Sequence, residues 1–224
     1  MISQNKCRSL FKKLSDFEKN TLLNSGEIMP YKKGDILFDE KDSIDYLYII
    51  IEGYIALYRN SRYSEIKIIF ICTEGEILNE TVLQDAKTSI CAKALSDGTI
   101  LAIQKEKILQ IMQENQNIAL HIYESLAMKT RRLYHQVGNA NGTYPLEKHL
   151  AAKLWKLARD YGIKSDKGIQ IAFEITVTFL ANMLGAKRES VSRIISVLKK
   201  DNILMHENGY MTILDMEKIK EKAM

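Results

Sequence analysis

The stretch Thr176-Val-Thr-Phe-Leu-Ala-Asn-Met-Leu-Gly-Ala-Lys-Arg-Glu-Ser-Val-Ser-Arg-Ile-Ile-Ser-Val-Leu-Lys-Lys200 restricts the surrounding fold more than any other part of this 224-residue chain. Thr176 is suited to accept the free amide hydrogens at a helix N-terminus. Leu180, Ala181 and Leu184 fall on one face, and Ala181 is small enough to let a second helix approach closely. Gly185 follows the last apolar residue, where a left-handed turn ends a helix at little steric cost. Val191, Ile194, Ile195 and Leu198 then repeat at helical spacing. Two short helices joined by a tight turn satisfy all of these positions.

That arrangement leaves Lys187, Arg188, Glu189, Ser190, Ser192 and Arg193 on the early part of the second helix. A helix-turn-helix inserts this part into the major groove. Arg donates two hydrogen bonds to guanine, and Glu accepts one from cytosine. The alternative is a surface helix carrying an internal Glu189–Arg193 pair, worth about 0.2–0.5 kcal/mol. Downstream, Asn208-Gly209 lies between the apolar runs Ile203–Met205 and Met211–Ile213, a strong hairpin signal. Upstream, a helix is expected over about 146–161 and a strand over 170–173. Helices followed by a small hairpin describe a winged helix-turn-helix. The charge distribution agrees: residues 141–224 hold 14 Lys and Arg against 10 Asp and Glu, whereas residues 1–140 hold 18 of each. A local basic surface suits a polyanion.

Earlier in the chain the apolar pattern changes. From Ile28 to Ile103, runs such as Tyr46–Ile51 and Ile66–Cys72 are separated by Gly-containing turns at Gly34, Gly53, Gly75 and Gly98. Many short strands at this spacing predict a barrel-like or sandwich-like antiparallel fold, preceded by a helix within Cys7–Asn24. A helix is then expected from Lys105 to Gln136, free of Gly and Pro. Along it Ala119, Tyr123, Leu126, Thr130, Leu133 and Val137 step by 4, 3, 4, 3 and 4, the seam of a two-helix coiled coil. Packing on its own domain explains the first turns equally well. Gly138–Pro145 marks a hinge or domain boundary. The fold class is therefore α+β, with residues 1–104 as a β domain, 105–138 as a dimerisation helix and 139–224 as the winged helix-turn-helix.

Gly185–Arg193, followed by Leu198–Leu204, closely resembles the recognition region of the Crp/Fnr regulators. Tyr31–Phe38 and Asp45–Gly53 resemble the opening strands of that family's jelly-roll-like, cyclic-nucleotide-type β-roll, and Gly75–Glu80 its pocket segment. The resemblance implies a homodimer on palindromic double-stranded DNA that recruits or blocks RNA polymerase. It makes Arg188, Glu189 and Arg193 base readers, and Ser192 matches a serine of the Fnr-like branch. It also implies allosteric control, with an effector near Glu80 shifting the long helices.

For the effector, Gly75, Glu76 and Glu80 fit the family pattern, but Thr88-Ser89 stands where an Arg-Ser pair holds the cyclic phosphate, and Asn79 replaces a usual glycine. Thr88 carries no charge to neutralise a phosphate, so the effector is expected not to be cAMP. Three scattered cysteines, Cys7, Cys72 and Cys91, do not supply a Fnr-like iron–sulfur set, and buried thiols are their expected role. A haem or redox sensor would draw on His121, His135 or Cys91. An unidentified small molecule, apolar or aromatic, or a vestigial pocket remain open. No metal or resident cofactor is expected. No nucleophile elbow, phosphate loop or His-Glu-x-x-His motif points to an enzyme. No long apolar span or signal segment is read, and the chain is expected to be cytoplasmic. A winged-helix adaptor that binds protein instead of DNA is the rival function.

Overall fold

The computed structural model describes residues 9–60, 66–84, 86–140 and 145–224. They form two compact units: residues 9–60, 69–84 and 86–140 make up the first, and residues 66–68 group with 145–224 in the second.

The first unit opens with α1 (Asp16–Leu23), capped by Ser15 and Glu18 in a reciprocal capping box. Seven strands follow: β1 (Glu27–Tyr31), β2 (Ile36–Phe38), β3 (Tyr46–Glu52), β4 (Ile55–Asn60), β5 (Ile66–Cys72), β6 (Cys91–Ala94) and β7 (Gly98–Gln104). They form two sheets, ordered β1-β7-β3 and β2-β6-β4-β5. Phe38, Ile50, Leu57, Phe70, Ala92 and Ile100 fill the space between the sheets. On β3 and β7 the alternate residues Leu47, Ile49, Leu101 and Ile103 join a second core beneath helices. Both faces of these strands are thus buried, which explains the unbroken apolar run Ile49–Ile51 where a half-exposed strand would alternate.

The helix expected over 105–136 is two helices, α2 (Lys105–Glu114) and α3 (Gln116–Ala140). The break needs neither Gly nor Pro. Asn115 adopts an extended backbone, and its Oδ1 accepts from the amides of Asn117 and Ile118 at 3.0 and 3.1 Å. A mid-pattern Asn that caps the following helix stops the preceding one. The bend lets Ile108 and Ile111 of α2 and Ile118 and Ile122 of α3 share one core. At its other end α3 continues through Gly138 to Ala140, so the expected break at Gly138 is corrected, and residues 141–144 of the expected hinge or boundary lie outside the described residues. The leading helix occupies only the second half of Cys7–Asn24: it starts at Asp16, with Cys7 outside the described residues and Phe17 exposed.

The second unit comprises α4 (Leu146–Tyr161), β8 (Gly162–Ser165), β9 (Gly168–Ile171), α5 (Val177–Leu184), α6 (Arg188–Lys200), β10 (Leu204–Glu207), β11 (Tyr210–Ile213) and α7 (Met216–Glu221). The strands form one antiparallel sheet, β10-β11-β9-β8. The strand expected over 170–173 begins two residues earlier and pairs with β8, an exposed partner without an apolar pattern to announce it. Asn208 and Gly209 both have positive φ, 51° and 83°, as the two-residue hairpin turn requires. Leu150, Leu154, Phe173, Leu180, Val191, Ile195, Leu198 and Ile213 make the core.

Candidate DNA interface and sensor junction

Thr176 caps α5, its hydroxyl accepting from the Phe179 amide at 3.0 Å. Gly185 ends that helix in the left-handed region, φ 63° and ψ 38°. Leu180 and Ala181 are buried and Leu184 is half-buried. Lys187 is the N-cap residue of α6, whose inward face is Val191, Ile195 and Leu198, with Ile194 half-buried.

Arg188, Glu189 and Arg193 are exposed on the first turns of α6, with Ser190 and Ser192 half-buried beside them. The side chains of Arg188, Glu189 and Arg193 have no protein partner among the described residues, and the Glu189–Arg193 pair is not formed. Three charged groups on one ordered, water-facing helix end are therefore available to a ligand. The wing contributes differently. Its segment Leu204–Ile213 holds no Lys or Arg, and Glu207 pairs with Lys167 at 3.7 Å. Burial and the nearby Lys199 hold the His206 imidazole below its usual range.

In the β domain, Gly75 has φ 74°, and a Cβ there would collide with Ser9. Its amide donates to Ile50 O and its carbonyl accepts from Leu10 N, so this glycine fastens the turn to the chain's own backbone. Glu76 and Glu80 are 4% and 5% exposed. Both meet α3. Glu80 accepts from Lys129 Nζ and Ser125 Oγ, each at 2.6 Å, and Lys129 also donates to Ile77 O at 2.6 Å. Glu76 lies 3.5 Å from Arg132, whose guanidinium stacks over Phe70 at 4.2 Å. One helical turn on, Gln136 donates to Ile69 O at 2.9 Å. Beneath this junction the buried Cys72 thiol is pushed up to about 12, chiefly by burial and then by the Glu76 carboxylate.

Thr88 belongs to another setting. Its hydroxyl bonds to Asp39 O, and it accepts from the Asp42 amide at 3.0 Å; Ser89 is exposed next to it. Thr88 is thus committed to the Asp39–Asp42 turn and Glu80 to α3, while Glu76 accepts from the Thr73 amide at 3.0 Å and faces Arg132 of α3. Asn79 is buried and bridges β3, accepting from Tyr48 N and donating to Tyr46 O. Sequence reasoning missed Ser125, Lys129, Arg132 and Gln136. Their spacing of 4, 3 and 4 was a readable signal, a polar stripe that precedes each seam position from Leu126 to Val137 by one residue.

Among the expected seam residues Tyr123, Leu126, Leu133 and Val137 are exposed, Ala119 and Thr130 are half-buried, and Leu120 and Tyr134 add further exposed apolar surface. The haem candidates are separated: His121 contacts Glu124 at 3.1 Å, Cys91 donates to Asp39, and His135 is exposed. Among the described residues no three His, Cys, Asp or Glu side chains gather to hold a metal ion, and no helix is long and apolar enough to cross a membrane.

A two-sheet barrel joined in one chain to a winged helix-turn-helix is the architecture of a two-domain transcription regulator. A cyclic nucleotide-binding domain model matches residues 28–115, and a Crp-like helix-turn-helix domain model matches residues 148–222. The chain belongs to the Crp/Fnr family of transcription regulators. It is 25% identical over 185 residues to the anaerobic regulatory protein of Bacillus subtilis, covering 82% of this chain and 77% of that protein. It is 23% identical over 215 residues to the cyclic AMP receptor protein of Thermus thermophilus, covering 96% of each. Among solved structures, the c-di-GMP responsive regulator CLP of Xanthomonas campestris superposes with a TM-score of 0.79 at 15% identity, covering 90% of this chain and 100% of that one. A CooA variant from Carboxydothermus hydrogenoformans gives 0.71 at 22% identity, covering 90% and 89%. These likenesses establish the shared fold.

Proposed function

We propose that the protein is a homodimeric, sequence-specific DNA-binding regulator of transcription that acts by binding and not by catalysis. The two α6 helices enter successive major grooves of a palindrome, and RNA polymerase is the partner it recruits or blocks. The carrying observation is the set Arg188, Glu189 and Arg193, without partners among the described residues, on the exposed start of a helix whose other face is buried. Thr176, Lys187, Ser190 and Ser192 lie beside this set and suit phosphate and base-edge contacts. Exposed apolar residues at coiled-coil spacing on α3 support pairing through that helix.

The sensor answers to a small molecule other than cAMP. Thr88 brings no cation for a cyclic phosphate, and Glu80 already holds Lys129 and Ser125. Selection from a random duplex pool at moderate salt tests the DNA reading. Enrichment of a palindrome with half-sites about one helical turn apart is expected, with affinity falling steeply as salt is added. Retention of the same site and specificity by Arg188→Ala would sink the assignment of base readout.

A further inference from the structure

Four polar side chains of α3 face the barrel, and each has a partner there. Ser125 and Lys129 hold Glu80, Arg132 holds Glu76 and lies on Phe70, and Gln136 holds the backbone of β5 at Ile69. The Lys129 and Glu80 side chains are 12% and 4% exposed, so water screens their attraction little. A buried carboxylate must be paired or hydrogen-bonded, and here the chain itself meets that demand at both Glu76 and Glu80.

The position of the stripe matters as much as its bonds. Ser125, Lys129, Arg132 and Gln136 each sit one residue before Leu126, Thr130, Leu133 and Val137. Adjacent residues on a helix lie about 100° apart around the axis. Holding the polar stripe against the barrel therefore fixes the direction in which the neighbouring apolar seam points. A rotation that frees Lys129 from Glu80 also turns the seam.

We propose that these four residues are a latch built into the chain, which sets the rotation of α3 without a bound small molecule. The regulator therefore dimerises and binds its operator ligand-free. A molecule acting on this sensor acts by prising Lys129 from Glu80. This rests on the DNA-binding reading above, and it gives a ligand-free starting position to the helices that an effector near Glu80 is expected to shift.

The test uses the full-length protein, exhaustively dialysed and checked by mass spectrometry of the denatured supernatant for carried-over small molecules. Ligand-free protein is expected to bind its selected palindrome with a Kd within twofold of the undialysed sample. Lys129→Gln and Glu80→Gln are expected to bind at least tenfold more weakly, with a raised dimer dissociation constant and faster hydrogen exchange over residues 125–136. The exchanged pair Lys129→Glu/Glu80→Lys should recover within threefold and serves as the comparison if a single variant fails to fold. The latch is overturned if dialysed protein loses its affinity and regains it with a small-molecule cell extract. It is equally overturned if folded Lys129→Gln dimerises and exchanges like the parent. If no palindrome is selected under any condition, the DNA reading fails, and dimerisation and hydrogen exchange still decide the latch.

Discussion

Two helices of this protein carry stripes of charged and polar residues, and they treat them in opposite ways. On α3, Ser125, Lys129, Arg132 and Gln136 all find partners on the barrel. On α6, Arg188, Glu189 and Arg193 find none among the described residues, although Glu189 and Arg193 are spaced to pair with each other. In sequence the two stripes look alike. The difference lies in the opposing surface: α3 faces two buried carboxylates, whereas the outer face of α6 is exposed and meets no partner among the described residues. Charges that close on the chain itself hold a structure in place, and charges left open on a rigid helix await something else.

The comparison breaks most easily at Lys129. Lys129→Ala strands Glu80 as a buried, uncompensated charge, and the expected loss of unfolding stability is about 3–5 kcal/mol. Arg188→Ala on the open stripe should change stability by no more than about 0.5 kcal/mol. Urea denaturation of the two variants measures both. Equal effects would mean that the α3 stripe is as dispensable to the fold as the α6 stripe.

For DNA both stripes are expected to matter, but only the α6 stripe is expected to change which bases are preferred. Arg188→Ala and Arg193→Ala should each lower affinity for the selected palindrome by about 1–3 kcal/mol and relax preference at one base position. Fluorescence anisotropy against the site and its single-base variants reads both effects. A uniform loss across all sequences would instead assign these residues to phosphates.

Between these two helices, different amounts were legible beforehand. The α5–α6 pair was readable almost residue by residue, because each part depends on local chemistry: a hydroxyl cap at Thr176, a left-handed turn at Gly185, apolar residues at helical spacing. The strands β3 and β5 were visible for the same reason. The junction at Glu80 was visible only in half. Glu76 and Glu80 stood out by resemblance, but their partners Arg132 and Lys129 lie about 50 residues away, and only folding brings them together. The break at Asn115 escaped notice because an Asn cap looks the same in sequence as an Asn on a helix surface. The exposed strand β8 lacks the alternation that marks a half-buried one.

The turn that positions α6 offers a smaller test. Gly185 is left-handed, and a Cβ there meets nothing within 4 Å, so only backbone strain opposes a side chain. Gly185→Ala is expected to cost about 1–2 kcal/mol of stability. A sharp loss of DNA affinity in a variant that remains folded would show that the turn also sets the presentation of Arg188.

The smallest expected effect concerns a single charge held by neutral donors, which ties α1 to the start of α3. Glu18 is buried and accepts from Asn117 Nδ2 at 2.8 Å and from the Ser15 amide at 2.8 Å. The Asn117 bond first, and the Ser15 bonds after it, hold the Glu18 carboxyl near 2, below its usual 4.5. The ionised form is thus favoured in the folded protein. Its stabilising effect is fully present above about pH 4.5 and is lost as pH falls toward 2. Glu18→Gln should therefore flatten the acid limb of a stability-versus-pH curve over that window while leaving the slope near pH 7 unchanged. If the acid limb is unaltered, the contact between α1 and α3 holds without the charge, and it resembles neither the closed stripe of α3 nor the open one of α6.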